Sequence, residues 1–514
     1  MRQSRGEVEK MNKNIEKELN ELKKILTKKQ RLSHMIEVIN FDQETQAPFK
    51  GSEEHGKDIV ELQAQIFKLT NSKKYKDLVV NLYESLNEIE CKYDKRLITL
   101  LHDNYLRNKN ITPAIQNKIS SIYSEAYLSW INAKEKKDYS LFKPTLEKIV
   151  EATNLKLELS KLPTKGNKLN DLMEEYEGDM TTDLLDNFFN ELKEAIVPLL
   201  KKIQSSDVKI RTDFTTRKVD KYKQIEFGKY LLDVIGYDLS RGALGFSEHP
   251  FTTSISQNDH RVTTHVYEDN FISNIYSVVH EGGHGIFGQN VSEKSYKHFV
   301  DGTRSLGEDE SVSRFFENRI GRSKEFIHLI YPKFKEMFAP TFDDVSEEEL
   351  YLAVNEVKPG LIRTEADELT YTLHIIIRYE IEKEIVNGNI SLEHLNELWN
   401  KKYEEYLGVK VDNDANGILQ DIHWTGGFGY FPTYAIGNAY NAMYFNRMKN
   451  ELNVKKLILE NNIKEIVKWM KENVFDSATY LSPKEWIKSL TLRELDPTDF
   501  KEYLVEKYSE IYKL

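Results

Sequence analysis

YSVVHEGGHGIFGQN, residues 276–290, places two glycines between two histidines in a segment whose apolar spacing otherwise predicts a helix. Glycine inside a helix costs about 1 kcal/mol relative to alanine, because it loses more conformational freedom on folding. Small residues are useful in a helix where another backbone or a bound molecule must approach it closely. We therefore expect Gly282 and Gly283 to mark a close approach to this helix.

The same stretch contains the pattern HExxH, formed by His280, Glu281 and His284. Residues i and i+4 share one face of a helix, so the two imidazoles can bind one metal ion. The glutamate between them then lies where it can take a proton from water at the open coordination position. HExxH also occurs by chance, but five of the 13 histidines of this chain lie between residues 249 and 284, which favours a metal site.

A catalytic zinc site of this type needs a third protein ligand and leaves a fourth position open. The pattern HExxHxxGxxH is excluded, because it needs glycine at 287 and histidine at 290, where the chain has Phe287 and Asn290. The alternative is a carboxylate from a following helix. The segment GEDESVSRFFEN offers four acids, and spacing alone does not select among them: Glu308, Asp309, Glu310 and Glu317.

The chain around this stretch predicts a mostly α fold. Apolar residues recur every three or four positions through residues 15–39, and similar helical patterns run to residue 235. The run HRVTTHVYE at 260–268 is rich in Val, Thr and Tyr and predicts a short strand or hairpin. Helical patterns return after it, whereas residues 412–438 are glycine-rich and aromatic and predict a loop.

The organisation of the chain predicts one large unit over residues 1–514. No linker rich in Pro or Ser, low-complexity tract or internal repeat divides it. Only six of the 24 glycines precede residue 236, so irregular backbone is concentrated in the second half. We expect residues 1–235 to form a helical half that walls a cleft, and residues 236–514 to carry the metal and substrate site.

Composition excludes several classes of protein. The formal net charge of -11 argues against a nucleic-acid partner, which needs a basic face. A single cysteine, Cys91, allows no disulfide within the chain, which predicts a reducing, cytoplasmic location; we expect it to be a packing residue. The charged N-terminal segment does not resemble a signal peptide, and no apolar run is long enough to predict a membrane span.

Five motifs then occur in order across nearly 400 residues: NFDQETQAP at 40–48, HPF at 249–251, DHRVT at 259–263, HEGGH at 280–284, and GILQDIHW with GYFPTY at 417–434. They resemble the signature segments of the M32 family of metallocarboxypeptidases, the thermostable carboxypeptidase Taq type. Phe41 stands where the first of these segments commonly has tryptophan. The resemblance implies a single, mostly α zinc-peptidase unit with a deep cleft and a small β-sheet or hairpin beside the active-site helix.

The resemblance also implies the third metal ligand. The glutamate of the family's HES(Q/G) motif corresponds to Glu310 in the segment DESV. Asp309 replaces the histidine of that motif and Val312 replaces its polar fourth residue, so the groups that tune the metal from outside its ligand shell are changed. His265 stands where arginine is common after the DxRxT motif, which changes any substrate contact made there.

These similarities imply a metallocarboxypeptidase that removes single amino acids from the C-terminus of peptides. One divalent metal per chain is expected on His280, His284 and Glu310, with Zn²⁺ the best match and Co²⁺ or Mn²⁺ compatible with the same ligands. Glu281 is the expected general base. Peptides with a free C-terminus are the expected partners, together with a second copy of the chain in a homodimer, and neither nucleic acid nor membrane is expected.

Two further sets of residues have candidate roles. The resemblance to helical zinc peptidases suggests His423, Tyr430 and Tyr434 as stabilisers of the oxyanion, against the alternatives of a structural hydrogen bond and aromatic packing. A guanidinium is the natural partner of a substrate carboxylate, and the candidates are Arg363 and, second, Arg261. Each arginine could instead be structural, paired with Glu365, Asp367 or Asp259. His249 is expected to support the cleft floor, His260 or the strand, without a chemical role.

Two alternatives remain open at this stage. An endo-acting oligopeptidase or a dipeptidyl carboxypeptidase would share the helical build and the glutamate ligand. A non-enzymatic helical scaffold with a degenerate metal site would explain the altered DESV segment. The intact Glu281 and both histidines argue against the second alternative, since a scaffold has no use for that base.

Overall fold

The computed structural model describes the backbone of residues 2–303 and 305–514, and the side chains of residues 13–303, 305–477 and 479–514. The described backbone is dominated by α-helices, as the sequence predicts. Their bounds are α1 (Arg2–Thr45), α2 (Ser52–Thr70), α3 (Lys73–Glu84), α4 (Lys92–Asn108), α5 (Pro113–Lys136), α6 (Lys143–Leu159), α7 (Lys168–Met173), α8 (Thr182–Gln204), α9 (Lys221–Ile235), α10 (Phe271–Asn290), α11 (Glu293–Lys297), α12 (Leu306–Arg314), α13 (Lys324–Phe338), α14 (Glu347–Val354), α15 (Glu368–Asn387), α16 (Leu395–Leu407), α17 (Pro432–Glu451), α18 (Val454–Leu459), α19 (Ile463–Met470), α20 (Pro483–Thr491) and α21 (Thr498–Tyr512).

A three-stranded sheet lies beside α10. Its strands are β1 (Gly242–Phe246), β2 (Thr252–Ser256) and β3 (Asp259–Thr264), in the order β1-β3-β2. β3 pairs parallel with β1 and antiparallel with β2, and Thr252 lies opposite Val262. The predicted strand at 260–268 is confirmed as far as Thr264 and belongs to a β2–β3 hairpin.

Two hydrophobic clusters hold the described residues together. The large cluster runs from Ala126 to Tyr512 and includes residues of α8, α9, α10 and α17. A smaller cluster consists of buried residues of α1, α3 and α4 together with Ile89 and Val300. Helices α8 and α9, which precede residue 236, share the large cluster with the later helices.

One local prediction was wrong. The segment 412–438 is irregular only in its first part, since α17 begins at Pro432. Proline is favoured in the first turn of a helix, where its missing N–H costs no hydrogen bond, so this start signal was present in GYFPTY. The helical pattern at 313–320 is confirmed: α12 ends at Arg314, and Phe315–Ile320 continue it in a wider π-helical form.

In the described part of the chain, no helix combines the length and apolarity needed to cross a membrane.

Candidate metal centre and active site

Helix α10 carries the HExxH residues, and the helix predicted there is confirmed. Its N-terminus is capped by Asn270, whose side chain accepts a hydrogen bond from the backbone N–H of Ser273. His280 and His284 lie one turn apart, with ring centroids 5.0 Å from each other. Both rings therefore point from the same face of α10, as the i, i+4 spacing requires.

The structure distinguishes the four acids that spacing left open. His280, His284 and Glu310 each offer a ligand atom, and these atoms all lie within 4.8 Å of one another. Glu308 caps α12, because its side chain accepts from the backbone N–H of Ser305 in a reciprocal capping box. Asp309 and Glu317 lie beside the histidines rather than among the three ligand atoms.

Gly283 lets α12 approach α10 at backbone distance. A Cβ atom at this position would lie 2.7 Å from the Cα of Ser313 and 3.2 Å from the carbonyl oxygen of Val312. The close approach predicted from the sequence is therefore made by α12, the helix that carries Glu310. The neighbouring glycines of α10 face side chains instead, with Gly282 against Ile235, Gly285 against Tyr237 and Gly288 against His260.

A carboxylate lies next to the Nδ1 atom of each of the two histidines. The Nδ1 atom of His280 lies 2.9 Å from Oε2 of Glu317, and Nδ1 of His284 lies 3.2 Å from Oδ1 of Asp309. Burial raises the pKa of Glu317, but Arg314 and His280 outweigh burial and hold that pKa below its usual value. With Nδ1 engaged in this way, Nε2 of each ring is the atom left to bind a metal. Two imidazoles and one carboxylate at this spacing fit a divalent ion such as Zn²⁺.

Glu281 is held by a residue of the edge strand. The hydroxyl of Thr252 lies 2.6 Å from Oε2 of Glu281 and 3.0 Å from its backbone carbonyl oxygen. Glu281 is buried, yet it lines a cleft of about 580 Å³ together with His284, Asp309 and residues of β2. Its carboxylate therefore has a fixed orientation at the side of the cleft.

His423 and two tyrosines form one cluster. Nε2 of His423 lies 3.3 Å from the hydroxyl of Tyr434, which in turn lies 3.4 Å from the hydroxyl of Tyr430. On its other side, Nδ1 of His423 lies 3.6 Å from Oδ1 of Asp421. Burial raises the pKa of both tyrosines, with further contributions that include Glu310, so both hydroxyls keep their protons near neutral pH.

Arg363 is buried, and its partner differs from those expected. Its Nη2 donates to Oδ1 of Asp421 at 2.9 Å, and its Nη1 donates to the hydroxyl of Tyr371 at 3.3 Å. Arg378, also buried, donates to the same carboxylate of Asp421. Glu365 and Asp367, named as partners for the alternative of a structural Arg363, do not pair with it; the carboxylate is that of Asp421. Two guanidinium groups share one carboxylate, which leaves one excess positive charge in a buried cluster.

Arg261 is not brought to the metal ligands. It pairs with Asp259 through two hydrogen bonds of 2.8 Å and lies over the ring of Phe41. Its strand neighbour Val262 contacts α10 at Gly285, and successive side chains of a strand face opposite ways, so Arg261 points away from α10. The structural pairing with Asp259 is confirmed for this arginine.

Three histidines near the strand, His249, His260 and His265, also lie apart from the metal donors. His249 is exposed and contributes its backbone carbonyl to Ser247, so the expectation that it supports His260 was wrong. His260 is buried and contacts Ser254 at 2.9 Å and the carbonyl oxygen of Gln257 at 3.2 Å. His265 lies 3.0 Å from the carbonyl oxygen of Ser247.

Three residues of the site were missed from the sequence: Thr252, Asp421 and Tyr371. Asp421 lies inside the motif GILQDIHW, but its partners Arg363 and Arg378 lie 58 and 43 residues away, so the motif gave no signal of this cluster. Thr252 follows directly after HPF and carries no such signal, since a single threonine in a strand is ordinary.

The comparisons with known proteins agree with this geometry. A family model described as Carboxypeptidase Taq (M32) metallopeptidase matches residues 21–508. The chain is 40% identical over 490 residues to Carboxypeptidase 1 of Bacillus subtilis, covering 94% of this chain and 97% of that protein. It is 35% identical over 417 residues to Thermostable carboxypeptidase 1 of Thermus thermophilus, covering 79% of this chain and 82% of that protein.

Solved structures share the fold over nearly the whole chain. The M32 carboxypeptidase of Deinococcus radiodurans superposes with a TM-score of 0.92 at 28% identity, covering 97% of this chain and 100% of that one. Metallocarboxypeptidase 1 of Trypanosoma cruzi superposes with a TM-score of 0.90 at 30% identity, covering 96% and 99%. The chain belongs to the Carboxypeptidase Taq (M32) metallopeptidase family.

Proposed function

We propose that this M32 metallocarboxypeptidase removes single amino acids from the free C-terminus of peptides, with Glu281 as general base and Arg363 as the reader of the terminal carboxylate. The proposal rests on one combination of features. The chain has a three-donor metal centre, a glutamate beside a cleft, and a buried cluster of two arginines and one aspartate with one excess positive charge. No observation favours the endo-acting alternative specifically.

His280, His284 and Glu310 would hold the metal. A divalent ion bound there supplies Lewis acidity, which polarises the peptide carbonyl and makes water a better nucleophile at neutral pH. We propose Zn²⁺ as the ion, because mixed nitrogen and oxygen ligation with an open position is typical of catalytic zinc. Co²⁺ and Mn²⁺ accept the same donor types.

Glu281 moves the proton. With Oε2 held by the hydroxyl of Thr252, the remaining carboxylate oxygen accepts the proton of the attacking water. The same oxygen then delivers the proton to the nitrogen of the departing amino acid. Transfer by a fixed group of this kind contributes on the order of 10²- to 10⁴-fold to a rate.

Tyr430, Tyr434 and His423 donate hydrogen bonds to the oxygen that gains charge as the carbonyl is attacked. Because burial raises the pKa of both tyrosines, their hydroxyls stay protonated and serve as donors over the working pH range. His423 presents Nε2 on the side of Tyr434, and it donates from this atom when both ring nitrogens carry a proton, with Nδ1–H then directed at Asp421. Donors fixed before the reaction stabilise such charge without reorganisation.

Arg363 binds the terminal carboxylate of the substrate. Asp421 and Tyr371 hold its guanidinium rigid, and the Arg363–Arg378–Asp421 cluster lacks one negative charge. An isolated buried charge is costly, whereas a paired one is tolerated, so a bound carboxylate balances the cluster. A peptide without a free C-terminus leaves the imbalance in place, which makes the cluster selective for an exopeptidase substrate.

The roles of the acids are tested by an isosteric pair. Glu310→Gln is expected to abolish peptide hydrolysis and to lose one equivalent of metal relative to wild-type, because it removes one of the three donors of this centre. Glu308→Gln keeps the size of the capping residue and is expected to retain the wild-type metal content, measured by elemental analysis of the dialysed protein. A wild-type metal content in Glu310→Gln, together with loss of metal from Glu308→Gln, would refute this ligand assignment. A homodimer and a cytoplasmic location stay predictions from the sequence.

A further inference from the structure

A second group of metal-binding side chains lies outside the active site, where α4 meets the segment after α11. The group consists of Cys91, Asp94 and His298. Each residue offers one ligand atom, and these atoms lie within 4.8 Å of one another. His298 Nδ1 lies 2.6 Å from Asp94 Oδ1 and 3.9 Å from Cys91 Sγ. Cys91 packs against the small hydrophobic cluster, as expected, and its sulfur also lies in this group.

Local structure explains why these side chains converge. Cys91 is the N-cap residue of α4 and makes no capping hydrogen bond, while Asp94 stands three residues later in the first turn. Side chains at these two positions face each other across a helix N-terminus. His298 follows the short helix α11 and packs its ring near Tyr93 of α4, with centroids 5.6 Å apart. The donors thus come from two separate parts of the chain that tertiary packing brings together.

A cation already lies in this group. Nζ of Lys23, on α1, is 2.7 Å from Asp94 Oδ1 and 3.3 Å from His298 Nδ1. The ring nitrogen of His298 either carries a proton, and donates to Asp94, or bears a lone pair, and accepts from Lys23. It cannot both donate to Asp94 and accept from Lys23, so the two contacts compete for one ring nitrogen.

A metal ion removes that conflict. Bound to an ion, His298, Asp94 and Cys91 all present lone pairs to one point, and the half-exposed Lys23 turns out to solvent. Tetrahedral zinc with bonds of about 2.0–2.3 Å separates a sulfur and a nitrogen ligand by about 3.6 Å, close to the 3.9 Å seen here. The thiol releases its proton to solvent when the Sγ–metal bond forms.

We propose that Cys91, Asp94 and His298 form a second transition-metal site, of the Zn²⁺ type, that links α4 to the segment leading into α12. Sulfur, imidazole and carboxylate donors together suit zinc and cobalt and do not suit Mg²⁺ or Ca²⁺, which take oxygen ligands. Val300, two residues after His298, belongs to the small hydrophobic cluster together with residues of α4. The site would therefore add a second link between α4 and this segment. Lys23 competes with the ion, so the site fills at higher metal concentration than one without such a competitor.

Cobalt titration of the full-length protein tests the proposal, because a Co²⁺–thiolate bond gives a charge-transfer absorption in the near ultraviolet. The chain contains one cysteine, so the band reports Cys91 unambiguously. We expect the wild-type protein to bind two equivalents of cobalt and to show the band. Lys23→Met keeps the apolar stem of the side chain and is expected to show the band at lower cobalt concentration.

Cys91→Ser is the matched control, since serine is a favoured N-cap residue and preserves the start of α4. It is expected to lose the band and the second equivalent while keeping the first at His280, His284 and Glu310. Absence of the band from both wild-type and Lys23→Met at saturating cobalt would overturn the proposal. A band that persists when Asp94 and His298 are both replaced by alanine would also overturn it, since the thiol would then bind without the cluster.

Discussion

The hydroxyl of Thr252 lies 2.6 Å from the carboxylate of Glu281, across the interface between the edge strand β2 and helix α10. The contact couples the sheet to the proton-transferring group. It also explains why a small sheet accompanies an otherwise helical fold, since β2 holds Glu281 at the side of the cleft.

Thr252→Val is expected to lower kcat on the order of 10-fold, because Glu281 loses the hydrogen bond that orients it. Metal content is expected to stay unchanged, since no ligand is altered. Thr252→Ser keeps the hydroxyl and is the control that should retain most of the activity. Steady-state kinetics with elemental analysis checks the pair. Equal activity of the valine and serine variants would show that the contact does not orient Glu281.

Asp309→Ala is expected to weaken metal binding by about 10- to 100-fold, the usual cost of removing a carboxylate behind a metal-bound histidine. The expectation follows from the 3.2 Å separation between Asp309 and Nδ1 of His284. Competition with a chelator measures the affinity directly and independently of turnover. Asp309→Asn keeps the shape without the charge, so an intermediate affinity is expected. An alanine variant that binds metal as tightly as wild-type would contradict this role for Asp309.

Arg363→Lys is expected to lower kcat/KM on peptides with a free C-terminus by roughly 30-fold or more, because lysine cannot reproduce a bidentate contact with a carboxylate. Arg378 remains beside Asp421 in this variant, so that acid is not left unpaired. Arg261→Lys is the matched control and should retain activity, since Arg261 pairs with Asp259 away from α10. Comparable losses in both variants would point to general destabilisation rather than substrate recognition.

Gly283→Ala is expected to destabilise the protein by about 1–3 kcal/mol through overpacking of α10 against α12. The gain of up to about 1 kcal/mol in helix propensity offsets only part of this cost. Gly56→Ala, inside α2, is the control, because a Cβ there meets nothing within 4 Å. It should leave stability unchanged or raise it. Denaturant unfolding of both variants checks the prediction, and an unchanged or raised stability of Gly283→Ala would show that the two backbones are not constrained.

We expect the free energy of unfolding to depend on pH through Glu382. It is buried and accepts a hydrogen bond from the backbone N–H of Gly429 at 2.5 Å, and burial raises its pKa from 4.5 to about 8. The native state therefore keeps a proton that the unfolded chain releases. This contribution to stability is fully present below pH 4.5 and is lost as the pH rises through about 8.

Glu382→Gln lacks this titration, so its melting temperature should exceed that of wild-type by a margin that grows between about pH 5 and pH 9. Glutamine keeps an acceptor for Gly429. The same substitution at the exposed Glu90 serves as control and should give no such trend. A difference between Glu382→Gln and wild-type that is constant with pH would contradict a raised pKa for Glu382.

Local patterns predicted the parts of this structure that depend on neighbours in sequence. The helix α10, the pairing of His280 with His284 and the strand near 260 follow from periodicity and residue type. Spacing did not select Glu310 from its three acidic neighbours, because that choice depends on how α12 packs against Gly283. The family resemblance pointed to Glu310, and the three candidate donor atoms lie within 4.8 Å of one another.

Such patterns did not predict contacts between residues that are far apart in the sequence. A structural Arg363 would have paired with Glu365 or Asp367 by proximity in sequence, but Asp367 caps α15, and the partner is Asp421, 58 residues away. Thr252 reaches Glu281 only because the β2–β3 register and the packing of α10 on β3 bring them together. Periodicity carries no information about either contact, since both depend on tertiary packing.

Exopeptidase activity is tested most directly by time-resolved mass spectrometry of one unblocked peptide and its C-terminal amide, with Zn²⁺ or Co²⁺ supplied and Glu281→Gln as control. We expect stepwise loss of single C-terminal residues from the free acid, and loss of that activity on amidation and in the Glu281→Gln variant. Internal cleavage of both peptides at equal rates would contradict this expectation, would identify an endo-acting enzyme, and would remove the role proposed for Arg363.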